Sequence, residues 1–115
     1  MIVEKILLVG NKQAMKKVEN NVWAFSSFQN IYVKIYIANN VAGAKNIAKR
    51  HKLSIVVIEK EIVAPKTTDL VGFIIRKVGN PFFEVVKGGI DVVKISQIIC
   101  EKLGDTKQAR IVGCG

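Results

Sequence analysis

The chain has little cysteine, histidine or proline: two cysteines, one histidine and two prolines among 115 residues. The two thiols, Cys100 and Cys114, lie close together near the carboxyl terminus, which favours a reducing cytoplasm over a disulfide-stabilised scaffold. With His51 as the single histidine and no Cys-x-x-Cys spacing, the chain lacks the ligands of a zinc site, and we expect neither a metal nor a cofactor. The scarcity of proline also excludes a low-complexity linker.

Long apolar runs are absent as well. The runs at residues 6–9 and 55–58 fall far below the roughly 20 residues that a membrane-spanning helix needs. The chain start, residues 1–5, shows neither the basic region nor the long apolar segment of a secretory signal. We therefore expect no secretory signal and no membrane association. The predicted location is cytoplasmic.

Apolar and basic residues are what the chain does contain. Half of its residues are hydrophobic and 23% are charged, which excludes intrinsic disorder. A chain of this length fits one domain rather than two, and we expect that domain over residues 1–115. Lys and Arg number 18 against 9 Asp and Glu, a formal net charge of +9, so the expected partners are anionic.

Five apolar segments rich in β-branched residues predict strands, at Val3–Val9, 31–38, 54–58, Phe82–Val86 and 110–112. Amphipathic segments between them predict helices, of which one covers about residues 70–77 and the last ends at Gly104. Strands that alternate with helices predict βαβ units. The predicted fold is therefore α/β: a doubly wound, five-stranded, mostly parallel sheet of the flavodoxin-like kind, with strand order 2-1-3-4-5 and helices on both faces.

Ligands of doubly wound sheets bind beyond the carboxyl ends of the strands, where loops and helix N-termini converge. We call this region the carboxyl-end rim, and the predicted strands place it at residues 10–12, 39–40, 59–61 and 87–89. The candidate ligand-binding residues are two polar residues after the first strand and four residues after the fourth: Asn11, Lys12, Lys87, Gly88, Gly89 and Asp91.

The glycine pair after the fourth strand has two interpretations. Gly88 and Gly89 adopt conformations closed to other residues and can turn backbone N–H groups toward an anion, with Lys87 adding positive charge. The alternative is a tight turn from strand to helix, in which the glycines serve geometry alone. Asp91 is expected either to cap the following helix or to belong to the ligand-binding turn.

The sequence contains no catalytic constellation. A phosphoacceptor site of the receiver kind needs an acidic pair after the first strand, where this chain reads Val9-Gly10-Asn11, and an Asp after the third, where it has Glu59. His51 is predicted at the end of the second helix, away from the rim and without a serine to pair with. We therefore expect a non-enzymatic domain with no catalytic residue.

Residues 80–93 read Asn-Pro-Phe-Phe-Glu-Val-Val-Lys-Gly-Gly-Ile-Asp-Val-Val. This segment resembles the N-terminal sensory domain of propionate-catabolism-activator-type regulators, in which a strand runs into a small-residue turn, an Asp and an apolar pair that opens a helix. The resemblance implies signal sensing in a sigma-54-dependent transcription regulator, of which the chain would be the first lobe only, as a fragment or a single-lobe relative. After the third strand, the chain has Glu59-Lys60-Glu61-Ile62 in place of the Arg-Gly-Gly/Ala-Thr motif usual in that family.

Three functions stay open. The first is a sensory or regulatory module that binds a small anionic metabolite or a regulatory protein partner at the rim, as a monomer or a homodimer. The second is a degenerate receiver-like interaction domain. The third is a basic nucleic-acid-binding domain, which requires seven cations to form one continuous face: Lys12, Lys16, Lys17, Lys45, Lys49, Arg50 and Lys52.

Overall fold

Strands and helices alternate along the part of the chain that the structure, a computed structural model, describes: residues 3–87 and 91–113, with side chains to residue 105. In chain order the elements are β1 (Val3–Val9), α1 (Lys12–Phe28), β2 (Tyr32–Ala38), α2 (Val41–Arg50), β3 (Ile55–Glu59), α3 (Lys60–Val63), α4 (Thr67–Val78), β4 (Phe82–Val86) and α5 (Val92–Gly113). The four strands form one parallel sheet in the order β2-β1-β3-β4. This confirms the predicted α/β class and the predicted order of the first four strands.

Helices cover both faces of the sheet, which is why the central strands β1 and β3 are apolar where they pair with each other. On one face, buried side chains that include Leu7 and Val9 pack with α2 and α4. On the other face, Ile6 and Leu8 belong to a second buried cluster, which packs with α1 and α5. We refer to these as the α2–α4 face and the α1–α5 face.

The strand β2 lies at one edge of the sheet, as its alternating sequence predicted. Its isoleucines face the α1–α5 core, whereas Tyr32, Lys34 and Tyr36 alternate with them on the α2–α4 face. The parallel register with β1 places Lys5 directly beside Lys34. This edge therefore carries its polar and aromatic side chains on one face only.

The predicted fifth strand at residues 110–112 is wrong, and so is the predicted helix end at Gly104. The helix α5 runs without interruption from Val92 to Gly113. A single helical glycine costs only about 1 kcal/mol relative to alanine, and no proline follows it, so the helix continues through a segment rich in good helix formers. Among the described residues, β4 therefore pairs with β3 alone and forms the second edge of the sheet.

The connection between β3 and β4 holds two helices where one was predicted at residues 70–77. A single helical turn, α3, follows β3 directly, and α4 begins at Thr67 and buries Leu70 and Ile74 against the sheet. Within the described ranges, no helix combines the length and the apolar composition needed to cross a membrane.

Candidate functional site

Three of the polar residues at the carboxyl-end rim serve as helix caps. The side-chain oxygens of Asn11, Asn40 and Asp91 each accept a hydrogen bond from the backbone N–H three residues later, at 3.0, 2.7 and 3.0 Å respectively. The caps begin α1 and α2 and precede α5, and each satisfies a backbone donor that a helix start leaves without an intrahelical partner. Of the two roles expected for Asp91, the structure shows the capping role.

Glu59 occupies the position where a doubly wound sheet usually opens its ligand crevice. The crevice lies between the two strands at which the strand order reverses, here β1 and β3. The Glu59 carboxylate is only 8% exposed, and its Oε1 accepts a hydrogen bond from the Asn11 backbone N–H at 2.8 Å. A Cβ on Gly10 would lie 2.7 Å from that oxygen, so the loop after β1 packs directly on Glu59. The carboxylate thus braces the rim and fills the crevice.

A groove beside this brace lies between the starts of α1 and α2. We call it the rim groove; its lining residues are Lys12, Ile37, Ala38, Asn39, Gly43 and Ile47. Its volume of about 260 Å³ is below the roughly 300–1,000 Å³ of pockets for drug-sized ligands, so it suits a small ion or a single charged group. Lys12 is exposed at the groove and, within the described contacts, forms no ion pair.

The candidate residues after β4 lie at a different place. Lys87 and Asp91 line a second groove, between β4 and the start of α5, together with Glu84 and Lys94. Since β3 separates β1 from β4, the two groups of candidate residues are about two strand spacings, or roughly 10 Å, apart. Gly88 and Gly89 lie outside the described residues. The structure therefore divides the predicted site into two separate groups of residues.

The sheet also divides the seven cations of the predicted nucleic-acid face. Lys16 and Lys17 project from α1, which packs on the α1–α5 face. Lys45, Lys49 and Arg50 belong to α2, which packs on the opposite face. These five cations therefore lie on two opposite faces of the sheet rather than on the one face that this function required.

His51 lies at the end of α2, as predicted, but its environment was not anticipated. Its ring stacks on Tyr36, with centroids 4.3 Å apart and planes at 20°, and its Nδ1 lies 3.3 Å from the Tyr36 hydroxyl. Partial burial lowers the pKa of His51, and the nearby cations Lys5, Lys34 and Arg50 lower it further. The alternation of β2 was the one sequence signal that pointed to this cluster, because it sets Lys34 and Tyr36 on one face.

Within the described residues, no three His, Cys, Asp or Glu side chains are close enough together to hold a metal ion. Cys100 is half-buried on α5, and this burial raises the pKa of its thiol. Comparison of the chain with protein-family models, with curated proteins and with solved structures found no match in any of the three.

Proposed function

We propose that the chain is a non-catalytic sensory or regulatory module that binds a small anion, or an anionic group of a protein partner, in the rim groove. The position of this groove between the N-termini of α1 and α2 is the observation that carries the proposal. Helix N-termini carry partial positive charge and favour anions. Lys12, the first residue of α1, adds a full positive charge to the groove.

The helix caps leave donors available at this groove. Asn11 satisfies the third N–H of α1 and Asn40 the third N–H of α2. The first two N–H groups of each helix, including those of Lys12 and Gln13, have no intrahelical partner. An anion in the groove would accept hydrogen bonds from such donors and pair with the Lys12 ammonium, which are the contacts that anions make at helix starts.

The placement of the proton-transfer groups supports a non-catalytic role. The Glu59 carboxylate accepts a backbone hydrogen bond inside the crevice, which supports a bracing role over the role of a phosphoacceptor or a base. His51, the single histidine, stacks on Tyr36 at the far end of α2. Among the residues that the structure describes, a nucleophile, a base and a ligand site therefore do not meet at the rim.

The fold family and the regulator family of the chain are also part of this proposal. Strand order β2-β1-β3-β4 with helices on both faces is compatible with a flavodoxin-like fold that lacks a fifth strand. The assignment to the sensory domains of propionate-catabolism-activator-type regulators rests on the resemblance of residues 80–93. Within that assignment, the chain would sense a metabolite and pass the signal to other domains of a transcription regulator.

Thermal unfolding in the presence of anions tests the proposal. A ligand that binds only the folded chain stabilises it by about 2.7 kcal/mol at one hundred times its Kd. We expect at least one of inorganic phosphate, sulfate and small di- and tricarboxylates to raise Tm. Lys12→Gln should remove most of that rise, whereas Lys17→Gln, an equal charge change farther along α1, should retain it.

Two results would contradict the rim groove. If no anion of the panel raises Tm, the groove binds none of these ligands. If Lys87→Gln removes the rise and Lys12→Gln does not, the ligand lies in the groove between β4 and α5 instead.

A further inference from the structure

A second surface lies away from the rim, on the α2–α4 face of β2. It consists of three cations and three aromatic rings drawn from β1, β2 and the end of α2, and we call it the basic aromatic face: Lys5, Tyr32, Lys34, Tyr36, Arg50 and His51. We propose that this face binds single-stranded nucleic acid, with the rings stacking on bases and the cations contacting phosphates. The proposal does not depend on the rim groove.

The rings form a platform in which Tyr36 is half-buried against the α2–α4 core and Tyr32 projects from it. Tyr32 and Tyr36 are four residues apart on one strand, so they face the same way about 13 Å apart. Tyr32 is 57% exposed. Tyr36 is extended by the stacked ring of His51, at 4.3 Å between centroids. Two ring positions along one strand offer stacking for about two bases, as in sheet surfaces that bind RNA through aromatic residues.

Cations surround this platform, and among the described ion pairs neither Lys5 nor Lys34 is joined to a carboxylate. The register of β1 and β2 sets Lys5 beside Lys34, and the Lys34 Nζ lies 5.9 Å from the centroid of the Tyr36 ring. Every charged group that acts on His51 is a cation: Lys5, Lys34 and Arg50. Beyond Lys5, a groove at the amino ends of the strands continues to Lys52 and also contains the buried Glu4. The charged residues of the face itself are cations, which attract a polyanion.

The combination of flat rings and cations favours a single strand over other polyanions. Base–aromatic stacking stabilises binding by about 1–3 kcal/mol per base, and it needs a base whose face is accessible, which a duplex does not offer. Phosphate contacts add a salt-dependent term from the release of counterions. An anionic membrane would use the cations but would leave the rings without a stacking partner.

Fluorescence anisotropy with labelled single-stranded RNA and DNA oligonucleotides of one sequence tests the proposal. We expect both to bind, with affinity falling as salt rises. Tyr32→Ala should weaken binding about tenfold through the loss of one stacked base. Its control is Phe28→Ala, which removes an aromatic ring that is 83% exposed at the end of α1. Phe28→Ala should leave the affinity unchanged.

A second matched pair of variants tests the contribution of positive charge to oligonucleotide binding. Lys34→Gln should weaken binding and reduce the slope of log affinity against log salt by about 0.7, the value for one phosphate contact on a single strand. Lys17→Gln makes the same charge change on the opposite side of the sheet and should alter neither quantity. Tyr32→Phe, which keeps the ring, should retain the affinity lost in Tyr32→Ala.

Three outcomes would overturn the proposal. Equal losses in Lys34→Gln and Lys17→Gln would mean that net charge alone, and not this face, attracts the oligonucleotide. Tighter binding to a duplex of the same sequence would exclude base stacking. Binding to phosphatidylserine vesicles but not to either oligonucleotide would identify the face as a membrane contact.

Discussion

The carboxyl-end rim and the basic aromatic face use their polar side chains in different ways. At the rim, Asn40 and Asp91 accept hydrogen bonds from helix N–H groups and Glu59 accepts one from a loop, so these side chains satisfy the backbone. On the basic aromatic face, Lys5 lies beside Lys34, and like charges in neighbouring positions of a sheet destabilise it. The rim therefore holds the fold together, whereas the cations of the other surface oppose it.

This contrast distinguishes polar residues that have a structural role from residues that have none. A cap at a strand end lies where ligands bind in this class of sheet, yet its hydrogen bond already accounts for its presence. The adjacent cations Lys5 and Lys34 and the exposed ring of Tyr32 have no such account, because no hydrogen bond or ion pair that the structure describes uses their side chains. Function is thus more strongly indicated where Lys34 and Tyr32 are than where Asn11 is.

The largest expected effect is on the free energy of unfolding, from a substitution that disturbs the packing of the loop after β1 on Glu59. In Gly10→Ala, the new Cβ would lie 2.7 Å from the Glu59 Oε1 and 2.9 Å from the Glu59 Cβ, and the second overlap cannot be relieved by rotating the end of a side chain. We expect a loss of about 1–3 kcal/mol in the free energy of unfolding, the usual cost of overpacking a filled site. Urea denaturation measures it.

A second glycine supplies the control for this experiment. A Cβ on Gly104 would meet no atom within 4 Å, and the residue lies inside α5. Gly104→Ala should therefore stabilise the chain by about 1 kcal/mol through helix propensity alone. Equal and small effects of the two substitutions would show that Glu59 does not brace the loop after β1.

The next largest effect on stability comes from removing the helix cap Asn40, which we compare with removing the cation Lys34. Asn40→Ala removes the 2.7 Å hydrogen bond at the start of α2 and should cost about 1 kcal/mol of stability. Lys34→Gln removes the like charge beside Lys5 and should stabilise the chain by about 0.5 kcal/mol at low salt, with the gain vanishing at high salt. Urea denaturation at two salt concentrations measures both.

The affinity for a single-stranded oligonucleotide should change in the opposite sense. Asn40→Ala leaves the basic aromatic face intact and should retain the affinity, whereas the more stable Lys34→Gln should bind more weakly. If Lys34→Gln lost stability instead, the cation would have a structural role and the contrast between the two surfaces would disappear.

Local patterns predicted most of the fold. The apolar runs of β1 and β3, the alternation of β2 and the helical spacing between them were sufficient for four strands and their order. The fifth strand was wrong because a glycine followed by a short β-branched segment is a weak signal, and the helix α5 continues through both. The predicted strand ends were sufficient to locate the rim. The sequence does not show which polar side chains there form capping hydrogen bonds with helix N–H groups.

Only the part of the basic aromatic face that lies on β2 could be predicted, from its alternation, because the rest depends on contacts between distant segments. The register of two strands brings Lys5 beside Lys34, and the return of α2 across the sheet sets His51 on Tyr36. Neither pairing follows from local spacing. The sequence therefore indicates cations on helix surfaces, whereas two cations of this face, Lys5 and Lys34, lie on strands.

The smallest expected effect is a pH dependence with opposite signs for stability and for binding. Partial burial and the cations Lys5, Lys34 and Arg50 lower the pKa of His51 from its ordinary value of 6.5. The unfolded chain thus takes up this proton at a higher pH than the folded chain, so the stability linked to His51 is complete above pH 6.5 and is lost as pH falls through the lowered pKa. Protonation also adds a cation beside Tyr36, so the affinity for a single-stranded oligonucleotide should rise.

Unfolding midpoints and oligonucleotide titrations below pH 6.5 measure the two trends. Because His51 is the single histidine, His51→Gln should flatten both curves in this range and leave only the later titration of carboxylates. Asn40→Ala, at the rim, should shift the whole stability curve downward without changing its slope. A rise in affinity that persists in His51→Gln would mean that another group takes up the proton. The pH dependence would then not belong to the basic aromatic face. The tests of base stacking and salt dependence would still decide whether this face binds a single strand.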